Sequence, residues 1–339
     1  MKKFMNKKGV YPSLNLYFID ALSAMALGLF ASLLIGTIIK TLGDQFHIAM
    51  LSEQIWPIAQ QATGAAIAVA IAHRLNAPYL VLYTSVAVGL AGYEQGGPVG
   101  TFIATILAVE IGKLISKETK IDIIVTPFVT LIIGFLVAAV FGPILNKVMV
   151  YLGEVIILAT HQHPFVMGIL VSVIVGMVLT LPISSAALCI MLNLSGIAAG
   201  AATIGCTAQM IGFAVISYKD NGLNESLAQG LGTSMLQVPN IIRNWKIWVP
   251  PTLAAAILGP IATVWMPVEN TPLGAGMGSS GLVGQISTFQ AMKGTYSPGV
   301  IFLYLLVVHF ILPAVLSYVF YRILLKQGAI KAGDMTLID

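Results

Sequence analysis

Charge is what this sequence has least of. Lys and Arg number 17 and Asp and Glu 13 among 339 residues, so charged residues make up only 9% of the chain while hydrophobic ones reach 58%. Ordinary soluble proteins carry about 25% charged residues. A water-facing surface for a chain of this length needs many more charges, so the bilayer is the expected partner of its apolar exterior. Cysteine is almost missing as well. Cys189 and Cys206 both lie in apolar runs, which excludes a disulfide scaffold and a zinc-finger array and leaves two buried packing residues. The positive charges are single residues or small groups between apolar runs. Nucleic acid is bound through basic residues gathered on one face, so no nucleic-acid partner is expected.

What the chain has in abundance is apolar runs. Crossing the hydrocarbon core takes about 20 apolar residues in a helix. Candidate spans are 17 to 40, 55 to 73, 78 to 92, 98 to 116, 122 to 150, 164 to 182, 184 to 199, 201 to 217, 247 to 267 and 298 to 325. The fold class expected is all-α, a polytopic integral membrane protein of about ten transmembrane helices with re-entrant or broken segments. The runs at 78 to 92 and 184 to 199 are short and rich in small residues, and Gly142-Pro143 predicts a kink or stop in the fifth run. The basic N-terminal stretch lacks a signal-peptide cleavage pattern and is read as leading into a retained first helix.

With both termini cytoplasmic and ten crossings, the inner side collects Lys2, Lys3, Lys7, Lys8, Arg74, Lys117, Lys120, Lys219, Arg243, Lys246, Arg322, Lys326 and Lys331. The outer side receives only Lys40, Lys147 and Lys293. This is the positive-inside bias. Residues 44 to 61 and 222 to 244 mix polar and apolar groups as interfacial segments do. The whole chain, 1 to 339, is therefore expected to be one membrane domain in the cytoplasmic membrane. "FGPILNKVM" (141 to 149) and "LGPIATVWM" (258 to 266) share four residues in register, a weak echo of the internal repeats common in transporters.

Val268 to Thr288 reads "VENTPLGAGMGSSGLVGQIST". It contains GxGxxG at Gly276 to Gly281, but a dinucleotide fingerprint needs a strand before it and an acidic residue about twenty further on, and neither is present. Lysine and Ser or Thr do not follow Gly281, which excludes a Walker A loop. Irregular backbone at membrane depth is tolerated where protein buries it or where it lines a wet cavity. The stretch is expected to be a broken segment beside a solute path, with Glu269, Asn270, Thr271, Gly276 and Gly278 as binding candidates.

Polar groups inside apolar territory mark paths or partners. Glu110 and Lys113, three apart on one helical face, either pair or serve the path. Glu94 in "EQGGP" joins two spans, and His73 ends the second. Asn240 and Arg243 in "VPNIIRN" either contact substrate or phosphate or anchor the chain. His161 and His163 are too few for a metal site, Ser184, Ser185 and Gln209 are read as helix-packing residues, and no nucleophile, base and acid occur together. The chain is expected to have no metal, no cofactor and no self-contained catalytic site.

"GGPVGTFIATILAVEIGKLI", "PISSAALCIMLNLSGIAAGAATIGCTAQMIGFAVIS", "TSMLQVPNIIRN" and "NTPLGAGMGSSGLVGQI" together resemble the phosphotransferase-system enzyme IIC proteins of the perfringolysin-regulator-like branch. The resemblance spans about Leu14 to Leu325. It implies a bacterial inner-membrane permease that binds and translocates a sugar or related small polar solute, works as a homodimer, and is served by a separate enzyme IIB phosphocarrier, since no IIA or IIB module is attached. Better-known branches hold the sugar with a glutamate next to proline and a histidine. Glu269 near Pro272 is the nearest analogue here, although the two are not adjacent, and His73 is a weaker candidate for the histidine. The alternative function is a membrane ligand sensor without net transport.

Overall fold

The computed structural model describes residues 2–11 and 13–337. Helices dominate, and among the described residues no strand occurs beyond isolated bridges. The helices are α1 (Lys2–Lys7), α2 (Leu16–Phe46), α3 (Met50–Gln61), α4 (Thr63–Arg74), α5 (Tyr79–Ile115), α6 (Asp122–Thr160), α7 (Pro164–Thr180), α8 (Ser185–Met191), α9 (Gly196–Ile216), α10 (Tyr218–Leu227), α11 (Val238–Arg243), α12 (Trp245–Trp265), α13 (Pro272–Ala275), α14 (Val283–Met292) and α15 (Pro298–Lys326). The chain divides into two compact units at Val148 and Met149, inside α6.

In the first unit α4 packs between α2 and α5. Gly64 and Gly89 bring the backbones of α4 and α5 into direct contact, because a Cβ on either would run into the other's carbonyl. Although α5 is helical from end to end by hydrogen bonding, it reverses at Gly96 and Gly97, the latter at φ 60°. The Thr101 hydroxyl donates to the Gly89 carbonyl at 3.2 Å, whereas twelve residues of straight helix span about 18 Å. The two apolar runs read from the sequence are thus the two arms of a hairpin. α3 and α4 meet at a 43° bend, with Met50, Ile55 and Ile58 of α3 exposed, as an interfacial helix would be.

The second unit is built on α9, the most enclosed of the long apolar helices, with 83% of its apolar window buried. Alanine and glycine dominate α9 because α7, α12 and α15 all pack on it. A Cβ on Gly205 would strike the Ser172 carbonyl of α7, and one on Gly259 of α12 would strike Gly168 of α7. Ser172 Oγ ties α7 to the Ala255 carbonyl of α12 at 2.8 Å, and Thr263 Oγ1 ties α12 back to the Pro164 carbonyl at 2.7 Å. Gln209 ties helices together, donating to Thr252 and accepting from Trp248 at 3.0 Å each. Cys189 and Cys206 are both buried free thiols.

Six helices are long and apolar enough to cross a membrane, or seven if α3 and α4 form one broken span. The expected count of about ten is not confirmed by length and composition. One cause is the hairpin in α5. Another is the run at 184 to 199, which is no span: it holds the seven-residue α8 and a break at Ser195 before α9 begins. α7 reaches only 17 residues. The fifth run is longer than read, and α6 remains helical through Pro143 over its 39 residues.

Candidate functional site

The glycine-rich stretch of the second unit is broken and buried. After α12 ends, Asn270 pairs with Gly196 in an isolated antiparallel bridge, two backbone bonds of 3.1 Å. Thr271 then caps the four-residue α13, a turn follows, and a 3-10 turn at Ser280–Leu282 leads into α14. Residues 274 to 280 are all buried. Glycine is required at Gly278, which sits at φ +54° with the Cys206 and Thr207 backbone in the way of any Cβ, and at Gly276, which lies against Ser185 of α8. The Ser185 hydroxyl donates to the Gly276 carbonyl at 2.6 Å. The segment is therefore wedged between α8 and α9.

Asn270 is 3% exposed, and its side chain is wholly engaged. Nδ2 faces Thr203 Oγ1 at 2.7 Å, Thr288 Oγ1 at 2.9 Å and the Gly284 carbonyl at 3.1 Å, and Oδ1 accepts from the Thr271 amide at 2.7 Å. It locks the segment's two ends to α9 and α14. Glu269, the next residue back, is exposed.

The other sequence candidates lie elsewhere. In the second unit Asn240 is buried and donates to Gln237 and the Thr336 carbonyl, and Arg243 is exposed, donating to Asn240 Oδ1 at 3.4 Å. In the first unit His73 and Glu94 are exposed, the latter just before the α5 reversal. Glu110 is buried there and pairs with Lys113 at 3.3 Å, and the Lys113 ammonium also donates to the Leu75 carbonyl at 2.9 Å. Within the second unit the structure thus groups Glu269, Asn270, Thr271, Gly276 and Gly278 along one segment, with Asn240 and Arg243 on another.

Sequence reasoning missed the polar group beside this segment. His309 of α15 is fully buried, and its Nδ1 lies 3.1 Å from Gln285 Nε2 of α14. A carboxamide nitrogen can only donate, so His309 accepts at Nδ1 and carries its proton on Nε2. That Nε2 has no protein partner, nor do the buried Gln285 Oε1, Ser280 Oγ and Tyr304 OH. The Tyr304 ring stands edge-on to His309, centroids 6.0 Å apart. His309 lies in a π-helical stretch, Leu305–Ile311, one of six among the described residues. The available signal was an ionisable residue inside an apolar run of α15.

Buried polar atoms are nearly always hydrogen-bonded, and leaving one unpaired costs about 1–3 kcal/mol. The unpartnered atoms here are one N–H donor on His309, one carbonyl acceptor on Gln285 and the hydroxyls of Ser280 and Tyr304, groups for which the described side chains supply no partner.

The fold and this site define a multi-pass, all-α membrane protein with a polar centre embedded among apolar helices. A family model, "Phosphotransferase system, EIIC", matches residues 19–337, and the chain belongs to that family. It is accordingly a permease component of the phosphotransferase system, a multi-pass protein of the cell membrane. Neither a curated protein nor a solved structure matches it.

Proposed function

We propose that this protein binds a sugar or a related small, neutral polar solute at the glycine-rich segment and carries it across the membrane, with phosphate supplied by a separate IIB partner. The observation that carries the reading is the set of unpartnered buried atoms on Ser280, Gln285, Tyr304 and His309. A sugar hydroxyl both donates and accepts, so the His309 Nε2–H and the Gln285 Oε1 can serve one hydroxyl together. All four side chains are uncharged polar groups, which suits a neutral guest. Gly276 and Gly278 let the backbone come close, and Glu269, the exposed carboxylate next to Asn270, is proposed to take a hydroxyl proton during transfer. Family membership supports both the sugar and the IIB partner in general terms.

The test is equilibrium binding and flux in proteoliposomes with a panel of sugars, with and without phosphorylated IIB. The double variant Gln285→Leu with His309→Phe is expected to lose at least tenfold in affinity, one hydrogen-bonded pair being worth about 1–3 kcal/mol. It should also keep or raise thermal stability, because two orphaned polar groups leave the interior. Unchanged affinity in the double variant would remove this site from consideration.

A further inference from the structure

The last described residues of the chain, 329 to 337, fold through a turn at Ala332–Met335 against a cradle made by residues 217 to 244, and side-chain amides hold their backbone. Asn221 Nδ2 and Gln237 Nε2 both donate to the Met335 carbonyl at 2.9 Å, Asn240 Nδ2 donates to the Thr336 carbonyl at 2.9 Å, and Asn244 Nδ2 donates to the Ala329 carbonyl at 3.2 Å. In return the Gly333 and Met335 amides donate to the two oxygens of Asp220, and the Leu337 amide donates to Asn221 Oδ1 at 2.8 Å. The Met335 side chain is fully buried and Ile330 is 1% exposed, both in one apolar cluster with Phe213, Ile216, Ile241, Ile247 and Tyr321.

This cradle is connected to the glycine-rich segment. Gln237 Nε2, which holds the tail at Met335, also donates to Gln229 Oε1 at 2.9 Å, and Gln229 in turn donates to Ser217 Oγ at 3.0 Å. The next residue, Gly230, accepts a hydrogen bond of 2.6 Å from Ser279 Oγ. Ser279 is the immediate neighbour of Ser280, whose hydroxyl is one of the unpartnered atoms. The route from tail to site thus has four members: Met335, Gln237, the pair Gln229-Gly230 within the π-helical stretch Ala228–Gly232, and Ser279.

We propose that residues 329–337 are a releasable strap that regulates the candidate solute site by steadying the helical stretch at Gly230 on which Ser279 rests. Local opening is easiest where backbone is exposed and apolar anchors are few, and here Lys331, Ala332 and Gly333 are exposed between two buried anchors, Ile330 and Met335. Opening the strap removes Gln237's tail partner, takes one constraint off Gln229 and Gly230, and loosens the segment that carries Gly278 to Gln285. A partner that captured the freed peptide, or covered its cradle, would thereby change how the site holds its solute. The regulatory meaning rests on the solute reading above, whereas the mechanical link does not.

The experiment is hydrogen exchange on the full-length protein in lipid nanodiscs, with solute affinity measured on the same samples. Met335→Ala removes the anchor, and Leu337→Pro removes one backbone donor at a half-buried position without touching the core. Both are expected to lower protection at least about tenfold in the tail and also in residues 276–288, with α7 unchanged. If the tail loosens while 276–288 keep their protection, or if neither variant loosens the tail, the strap is refuted. If Met335→Ala exposes α7 as well, the milder Leu337→Pro decides alone by the same criterion. A wild-type protein that binds no sugar refutes the solute reading and leaves the exchange result to decide the strap.

Discussion

Replacing Asn270 by alanine removes the side chain that locks the broken segment, and its cost can be worked out bond by bond. The two N–H groups of Nδ2 serve three oxygens, on Thr203, Thr288 and Gly284, and Oδ1 accepts from the Thr271 amide. Two donated bonds and one accepted bond make three net bonds. After truncation Thr203 still donates to Ala199 at 2.8 Å, and the Gly284 carbonyl still accepts from Thr288 at 2.8 Å, so only the Thr271 amide is left without its partner. The backbone bridge to Gly196 does not involve the side chain and survives. At about 1 kcal/mol per bond the loss is about 3 kcal/mol. For a unit of this size that lowers the melting temperature by roughly 6 to 12 °C. Thr288→Val, which removes a single partner, should cost about a third as much. The assay is thermal unfolding of purified protein in one detergent, followed by tryptophan fluorescence. An Asn270→Ala protein that melts within 2 °C of the wild type, or no lower than Thr288→Val, would refute the assignment of Asn270 as the lock.

The glycine contacts predict a contrast between two alanine substitutions: Gly205→Ala drives a methyl into the Ser172 carbonyl, while at the exposed Gly299 nothing lies within 4 Å. Membrane yield of folded protein should collapse for the first and hold for the second, where alanine gains up to about 1 kcal/mol in a helix. Lys113→Met strands the buried Glu110 carboxylate and should destabilise by about 3–5 kcal/mol, with Lys113→Met plus Glu110→Gln recovering most of the loss. The check is a melting series, and equal melting of single and double variants would count against the pair. Glu269→Gln should weaken solute binding while leaving stability within about 0.5 kcal/mol, as expected for an exposed side chain. Titration calorimetry showing unchanged affinity would take Glu269 out of the site.

How far the sequence could be read depended on whether the signal was local. Apolar run length and the depletion of charge identify a membrane protein because they reflect the solvent, and solvent acts on every residue alike. The broken character of residues 268 to 288 was also legible, since five glycines in eleven residues cannot hold a regular helix cheaply. The hairpin in α5 was visible as two runs flanking "EQGGP". What escaped was whatever depended on distant partners. Asn270 is read as a ligand-facing amide from its neighbours, yet one of its partners is Thr203, 67 residues back in the chain. His309 lies in "LLVVHFIL" with nothing polar beside it, and only the fold brings Gln285 to it. Asn240 was read as facing substrate or as an anchor, and its partner proved to be the tail, 96 residues away.

The glycine seams between α7, α9 and α12 carry a mechanical consequence. Where main chains touch without side chains between them, at Ser172 with Gly205 and at Gly168 with Gly259, there is no soft layer along which one rod could slip past another. These three helices must travel together as a block. Any movement that uncovers the polar centre toward one side of the membrane then carries all three rods as a single body.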